Sequence, residues 1–296
     1  MKLYTYRLPS GDCDRIGVGY RNLENTLYPL EAFGLSFRDM NELICNITSE
    51  QLNVLKSPPH GADPLFLKNL VLRAPIPFPM QDVLCLGINY TAHHEESMRY
   101  DAAAFGDRPK AIYFSKRVNE ANCDNGIIPR YEGLVDCLDY EVELGVILGK
   151  DAKNIKKQDA EKYIFGYTII NDVSARDLQT GHKQWYFGKS FDGFTPMGPC
   201  IITADEVAFP PALGIRCSVN GELRQDGNTR NLMMSISEIL TELSRGITLK
   251  AGTIIATGTP AGVGMGFDPP RFLKLGDKII CEIEGIGTLT SIVDHA

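Results

Sequence analysis

The spacing of apolar and polar positions changes along the chain. After residue 80, short apolar or alternating runs recur between glycine and proline turns: DVLCLGI, KAIYFSK, YEVELGVIL, FGYTIIN, CIITA, IRCSVNG, GTIIATG and KIICEIEG. Runs this short, rich in β-branched residues and bounded by turn residues, predict β-strands. Many such strands with few long helices predict a mainly β (α+β) architecture, a sandwich or roll. Two later segments have helical spacing instead. One is 158–163. The other, 235–245 (SISEILTELSR), places Ile236, Ile239, Leu240 and Leu243 on one face, with Gly246 as its expected C-cap.

Before residue 76 the pattern predicts a small α/β unit. KLYTYRL and RIGVGY flank the turn-like PSGDCD, as in a hairpin, and helical spacing follows around 39–47 and 49–56. SPPHGADP is a loop. Prolines at 75, 77 and 79 in APIPFPM forbid a helix and favour an extended linker. The expected organisation is an N-terminal domain over 1–75 and a second domain over 76–296.

Composition narrows the function classes. No apolar run approaches the ~18–20 residues needed to span a bilayer, and MKLYTYRLPSGDCD carries no signal-peptide stretch. The expectation is a cytoplasmic protein with no membrane partner. A net charge of −7 without a basic stripe argues against nucleic acid. None of the eight cysteines forms a C-x-x-C pair, so a structural zinc site is not expected. Cys85 and Cys281, in apolar or alternating runs, fit reduced core thiols.

DYEVELGVILG alternates acidic and apolar residues. On a strand, i and i+2 share a face, so Glu141 and Glu143 project together, roughly 7 Å apart, with Asp139 before them. Tyr140, Val142 and Leu144 then face a core. One reading is a solvated edge strand. The other is a cation site, because two parallel carboxylates repel unless compensated. Asp172, after the apolar run FGYTII and Asn171, is either a turn aspartate or a third ligand from a strand end. Three carboxylates without His or Cys favour a hard cation, Mg2+ or Mn2+.

LCLGINYTAHHEES predicts a strand, a turn and a short helix capped by Asn89 or Thr91. His93 and Glu96, at i and i+3, share a face. That pairing suits a general base oriented by a carboxylate, or equally a mixed-charge surface helix. Lys189, in the turn-rich FGKSFDGFTPMGP, is either a solvated loop lysine or a group for a substrate carboxylate or enolate. Trp185 nearby fits a core or pocket wall. The glycine-rich ATGTPAGVGMG lacks a P-loop ending. Its amides and the Thr259 hydroxyl either face an oxyanion or simply close a hairpin.

Together these segments resemble the fumarylacetoacetate hydrolase family. GINYTAHHEE, LDYEVELGVILGK, GYTIINDVSARDLQ, GKSFDGFTPMGP, VNGELRQDGNTRNLM and IIATGTPAGVG occur in the family's order, and LGDKIICEIEGIGTL resembles its last strands, over about residues 80–294. The resemblance implies a mixed β-sandwich roll, a homodimer, and Mg2+ or Mn2+ on Glu141, Glu143 and Asp172. It implies a catalytic dyad at His93 and Glu96, a substrate-binding catalytic lysine at Lys189, substrate contacts at Gln179 and Thr259, and structural supports at Arg176 and Asp177. Three features depart from the family pattern. SMRYDAAAFGDRP (97–109) is long and is expected near the site as a lid. Lys116-Arg117 replaces a usual Lys-Pro. NEANCDNGIIPRYEGLVDC, with Arg130 and Tyr131, is an insert expected to influence substrate choice.

The implied substrate is a small 2-oxo or 2,4-dioxo acid. The primary expectation is an acylpyruvate hydrolase: His93 activates water, the C3–C4 bond of a 2,4-dioxo acid breaks, and pyruvate leaves with a carboxylate. Oxaloacetate decarboxylation, dienedioate isomerisation in the same site, and a non-catalytic 2-oxo-acid binder are the alternatives.

Overall fold

The computed structural model describes residues 1–105 and 110–295. Two sheets dominate it. Among the described residues the larger has eleven strands. Its order across the sheet is β4 (Leu65–Phe66), β3 (Leu23–Pro29), β2 (Arg15–Tyr20), β1 (Lys2–Arg7), β13 (Met197–Thr203), β11 (Ile164–Asn171), β10 (Val142–Leu148), β16 (Ile254–Ala256), β6 (Val83–Gly87) and β7 (Ile112–Lys116), with β5 (Val71–Leu72) beside β1. The second runs β15 (Glu222–Asn228), β14 (Gly214–Val219), β17 (Lys278–Ile283), β18 (Gly287–Asp294) and β8 (Gly126–Pro129). A two-stranded piece pairs β9 (Leu138–Asp139) with β12 (Ser174–Ala175). Pairing is antiparallel except β16 with β6 and β18 with β8, so the architecture is the mixed, mainly β one that the strand pattern predicts.

The sheets pack face to face. Val142, Leu144 and Val146 of β10 meet Ile215 and Cys217 of β14 and Ile279, Cys281 and Ile283 of β17 in the main core. α7 (Ile236–Gly246) closes that core with the predicted face of Ile236, Ile239, Leu240 and Leu243. The opposite face of the large sheet carries Ile147, Ile170 and Ile201, covered by Met40, Leu43 and Ile44 of α1 (Met40–Asn46), which is followed by α2 (Ser49–Val54). β10 and β11 are therefore buried along their whole length. That explains their near-continuous apolar sequence.

The hairpin over PSGDCD forms as predicted, and β1 continues the large sheet by pairing Lys2 with Ile202 and Leu3 with Ile201. Three local expectations are corrected. The 158–163 helix is a 3₁₀ segment, Lys157–Tyr163, because β11 begins at Ile164 and leaves no length for regular α turns. Gly246 is the last helical residue of α7. The cap is Ile247, which exits extended because Leu249 pairs at once with Ala152. α3 (Thr91–Tyr100) starts after Tyr90 without a side-chain cap, since Asn89 is engaged elsewhere.

Among the described residues no disulfide joins the cysteines, and Cys85, Cys200, Cys217 and Cys281 are buried thiols. No described helix is long and apolar enough to cross a membrane.

Candidate active site and metal centre

The pleat places the acidic groups. Even-numbered residues of β10 enter the sandwich core, so Glu141 and Glu143 take the other face. The register sets Val142 against Asn171 and Glu143 against Ile170, which puts Asp172 across from Glu141. The Asp172 amide donates to the Glu141 carbonyl at 2.8 Å. One oxygen from each of Glu141, Glu143 and Asp172 lies within 4.8 Å of the other two, and all three residues are buried.

Three cations surround this cluster. Lys189, at the end of α6 (Tyr186–Lys189), donates to Glu141 Oε2 and Asp172 Oδ2, both at 2.8 Å. Lys116, the last residue of β7, donates to Asp172 Oδ1 and to the carbonyls of Val173 and Phe194 at 3.1 and 2.9 Å. Arg176, opening α5 (Arg176–Gly181), donates from Nε to Asp139 Oδ2 at 2.9 Å and from Nη1 to Gln179 Oε1 at 3.0 Å. Its Nη2 lies 2.6 Å from Glu141 Oε1, an ion contact off-line for a hydrogen bond.

These contacts divide the carboxylates. Burial pushes the Glu141 carboxyl up, but Lys189, Arg176 and His93 together hold it well below its ordinary range. Among the described residues no cation makes an ion pair with Glu143. Burial, then Asp172 and Glu141, push its carboxyl well above its ordinary value against the nearby Lys189 charge, and the Gly258 amide donates to it at 2.7 Å. Burial drives the Lys116 ammonium down. For Lys189 the ion pairs with Asp172 and Glu141 outweigh burial and raise it.

This donor set suits a divalent cation. A buried carboxylate lacking a countercharge sits within reach of two others, and all the ligand atoms are hard oxygens.

The dyad stands beside the cluster. On α3, His93 Nδ1 lies 2.9 Å from Glu96 Oε1, and both side chains are buried. The Gly262 amide donates to Glu96 Oε2 at 2.9 Å. An ionised carboxylate only accepts, so with Glu96 ionised the shared proton sits on His93 Nδ1 and Nε2 keeps a lone pair. His93, Glu141, Glu143, Lys189, Gln179 and Thr259 line one narrow cavity of about 10 Å³, walled by Phe105, Phe114 and Trp185.

The glycine-rich loop supports the site from below. Its amides face the protein's own carboxylates: Gly258 to Glu143, Gly262 to Glu96, and Gly264 and Met265 to Asp139 at 2.6 and 3.1 Å. A Cβ on Gly262, at φ 102°, would overlap the Arg224 carbonyl oxygen, so this tight packing needs glycine. The Thr259 hydroxyl donates to the Val142 carbonyl and accepts from Gln225 Nε2, at 2.8 and 2.7 Å.

Known proteins identify the family. The family model for the fumarylacetoacetate (FAA) hydrolase C-terminal domain matches residues 82–294. The chain belongs to the fumarylacetoacetate hydrolase family. Oxaloacetate tautomerase YisK of Bacillus subtilis is 44% identical over 226 residues, 76% of this chain and 73% of that protein. The fumarylacetoacetate hydrolase of Exiguobacterium antarcticum superposes with a TM-score of 0.85 at 37% identity, covering all of both chains. A maleylpyruvate hydrolase from Sphingobium sp. SYK-6, solved with manganese(II) and pyruvate, gives a TM-score of 0.78 at 27% identity, again over all of both chains.

In this member of the family the fold gathers His93, Glu141, Glu143, Gln179, Lys189 and Thr259 around one cavity, with Glu96 behind His93 and Asp172 behind Lys189. Arg130 and Tyr131 of the insert lie elsewhere: Arg130 donates to the Val135 and Asp136 carbonyls, and the Tyr131 hydroxyl to the Asp192 carbonyl. Of the 97–109 segment, the described part includes α4 (Ala102–Phe105), whose Phe105 packs on Trp185 with centroids 5.7 Å apart; residues 106–109 of the expected lid lie outside the described residues. Sequence reasoning passed over Lys116 as a partner of Asp172. Its signal was a lysine closing the strand IYFSK in a protein that already buries several acids on one face.

Proposed function

We propose that this chain is a Mg2+- or Mn2+-dependent enzyme that interconverts the keto and enol forms of a short 2-oxo dicarboxylic acid of the oxaloacetate type. One observation carries the reading. A buried imidazole with a fixed tautomer lines the same small cavity as the three-carboxylate cluster. The 44% identity to an oxaloacetate tautomerase supports the choice of substrate.

Glu141, Glu143 and Asp172 would hold the metal, which supplies a Lewis acid for the 2-oxo group. His93 Nε2 takes a proton from C3, and Glu96 stabilises the imidazolium that results. The proton returns to the C2 oxygen to give the enol, so the step balances without water. Lys189 places a positive charge beside the developing oxyanion, and Gln179 and Thr259 orient the acid. Phe105, Phe114 and Trp185 exclude bulk water.

The dyad and the likeness to a maleylpyruvate hydrolase favour a second reading in the same cavity. His93 Nε2 takes a proton from water, the hydroxide adds to C4 of a 2,4-dioxo acid, and C3–C4 cleavage gives a carboxylate and pyruvate. We further propose that the protein is a cytoplasmic homodimer. The exposed Phe187 packs edge-to-face on Phe191, which packs at a tilt on Tyr131, an apolar surface suited to self-association and testable by light scattering.

The deciding experiment follows oxaloacetate enol absorbance and pyruvate release from oxaloacetate and acetylpyruvate, with Mg2+, Mn2+ or chelator. Metal-dependent loss of the enol signal that exceeds pyruvate release, absent in His93→Ala, is the expected result. An undiminished rate in that variant or under chelation would overturn the proposal.

A further inference from the structure

β16 pairs with β10 only as far as Ala256 against Gly145. Beyond it, the Thr257 amide and hydroxyl still reach the Leu144 carbonyl, at 3.2 and 2.9 Å. Then the chain turns away: Gly258 takes φ 99° and aims its amide at Glu143. Backbone pairing on this side of β10 therefore ends before Val142, the residue between Glu141 and Glu143. Buried backbone groups without partners are costly.

Side chains take over there. The Val142 amide donates to Gln225 Oε1 at 3.1 Å, and the Val142 carbonyl accepts from the Thr259 hydroxyl at 2.8 Å. Gln225 belongs to β15 in the second sheet. Among the described residues of that strand it alone is buried, with Cys217 as its cross-strand neighbour. Its Nε2 donates to the Thr259 hydroxyl and to the Pro260 carbonyl, at 2.7 and 2.8 Å. The amide can sit only this way round, because the Val142 N–H only donates and the Pro260 carbonyl only accepts. Gln225, Thr259 and the Val142 backbone thus close a hydrogen-bonded ring. The N–H and C=O of Val142 lie on either side of its two soft dihedrals. Fixing both groups fixes the angle between the side chains that flank them, Glu141 and Glu143.

We propose that Gln225 is a positioning residue for the carboxylate cluster: it reaches across the sandwich from the second sheet and, with Thr259, clamps the Val142 backbone so that Glu141 and Glu143 converge on one cation. The proposal rests on the reading of the three carboxylates as a metal site.

Mn2+ affinity of the full chain is measured by electron paramagnetic resonance, and exchange of the Val142 amide by NMR on the chelated protein. Residues that orient metal ligands contribute about 10–100-fold to metal affinity, so Gln225→Met, similar in length but unable to hold the ring, should weaken Mn2+ binding about tenfold or more. Loss of the hydrogen bond should speed Val142 exchange by about fivefold. Thr259→Val should weaken Mn2+ binding as well, and Thr259→Ser, which keeps the hydroxyl, should restore it. Because both residues act through Val142, the combined Gln225→Met/Thr259→Val effect should fall short of the product of the single effects. Thr48→Ala, which removes the capping box of α2 far from the cluster, should lower Tm and leave Mn2+ affinity unchanged. Wild-type Mn2+ affinity in a folded Gln225→Met protein, or independent effects in the combined variant, would overturn the assignment. If Gln225→Met does not fold, Thr259→Val decides, and wild-type affinity there would overturn it. A wild-type chain that binds neither Mn2+ nor Mg2+ would instead overturn the metal reading. The clamp is then judged by Val142 exchange alone, and an unchanged rate in Gln225→Met would overturn that too.

Discussion

Glu143 is the residue on which the site's electrostatics turn. Lys116 and Lys189 compensate Asp172, and Lys189 and Arg176 compensate Glu141, while Glu143 has one backbone amide. A buried charge without a partner is costly, and removing it can stabilise a protein. Glu143→Gln should therefore raise the chelated protein's Tm by about 2–4 °C and abolish any rise on adding Mn2+, both read in one thermal-shift series. Lys116→Met should do the reverse. It removes one of the two ammonium groups on buried Asp172 and leaves Lys189, so the cost should fall below the ~3–5 kcal/mol of breaking a buried pair outright, measurable by urea unfolding. For His93→Ala, kcat should fall by about 10²–10⁴-fold, the usual contribution of a general base, with a smaller change in KM. The acids were legible in the sequence because a strand's period of two puts Glu141 and Glu143 on one face. Their partners were not, because Lys116 and Asp172 are 56 residues apart and only the fold brings them together.

At the scale of elements, the 257–266 loop is a rigid bracket. Its amides hold Glu143, Glu96 and Asp139, so one segment fixes both the dyad and the cation cluster. Gly262→Ala should disrupt both at once, lowering activity and Tm together, whereas Thr259→Ser should leave Tm close to wild type. The glycine-rich character of this loop was visible in the sequence. That its amides turn inward to carboxylates became clear only from the packing. α7 shows the opposite case. Ser235 and Glu238, three residues apart, form a capping box, with the Ser235 amide donating to Glu238 Oε2 at 2.9 Å. Ser235→Ala should cost about 1 kcal/mol in denaturant unfolding. The hydrogen bond from Lys157, then those from Ser235, hold the Glu238 carboxyl down at about 2. A depressed carboxyl stabilises the fold above its unfolded value, so this contribution should be complete at neutral pH. It should decline as pH falls from the ordinary carboxylate range toward 2.

For the whole molecule, the large sheet is the frame. β10 and β11, buried on both faces, cross its middle and deliver Glu141, Glu143 and Asp172 at adjoining ends. β6 and β16 lead from the same end into the dyad helix and the glycine-rich loop. Cation binding should therefore be felt globally: Mn2+ at about 100-fold over its Kd should add ~2.7 kcal/mol to stability, read as a shift in unfolding midpoint that chelation reverses. Local sequence by itself determined the strands, the α7 face, the shared face of Glu141 and Glu143 and the pairing of His93 with Glu96. Those features depend on periods of 2 and 3.6 residues, which a short window contains. Only the tertiary structure decided that β1 would pair with β13 and that Lys116 would meet Asp172. Each of these joins residues distant in the chain, and their proximity is set by which buried faces pack together.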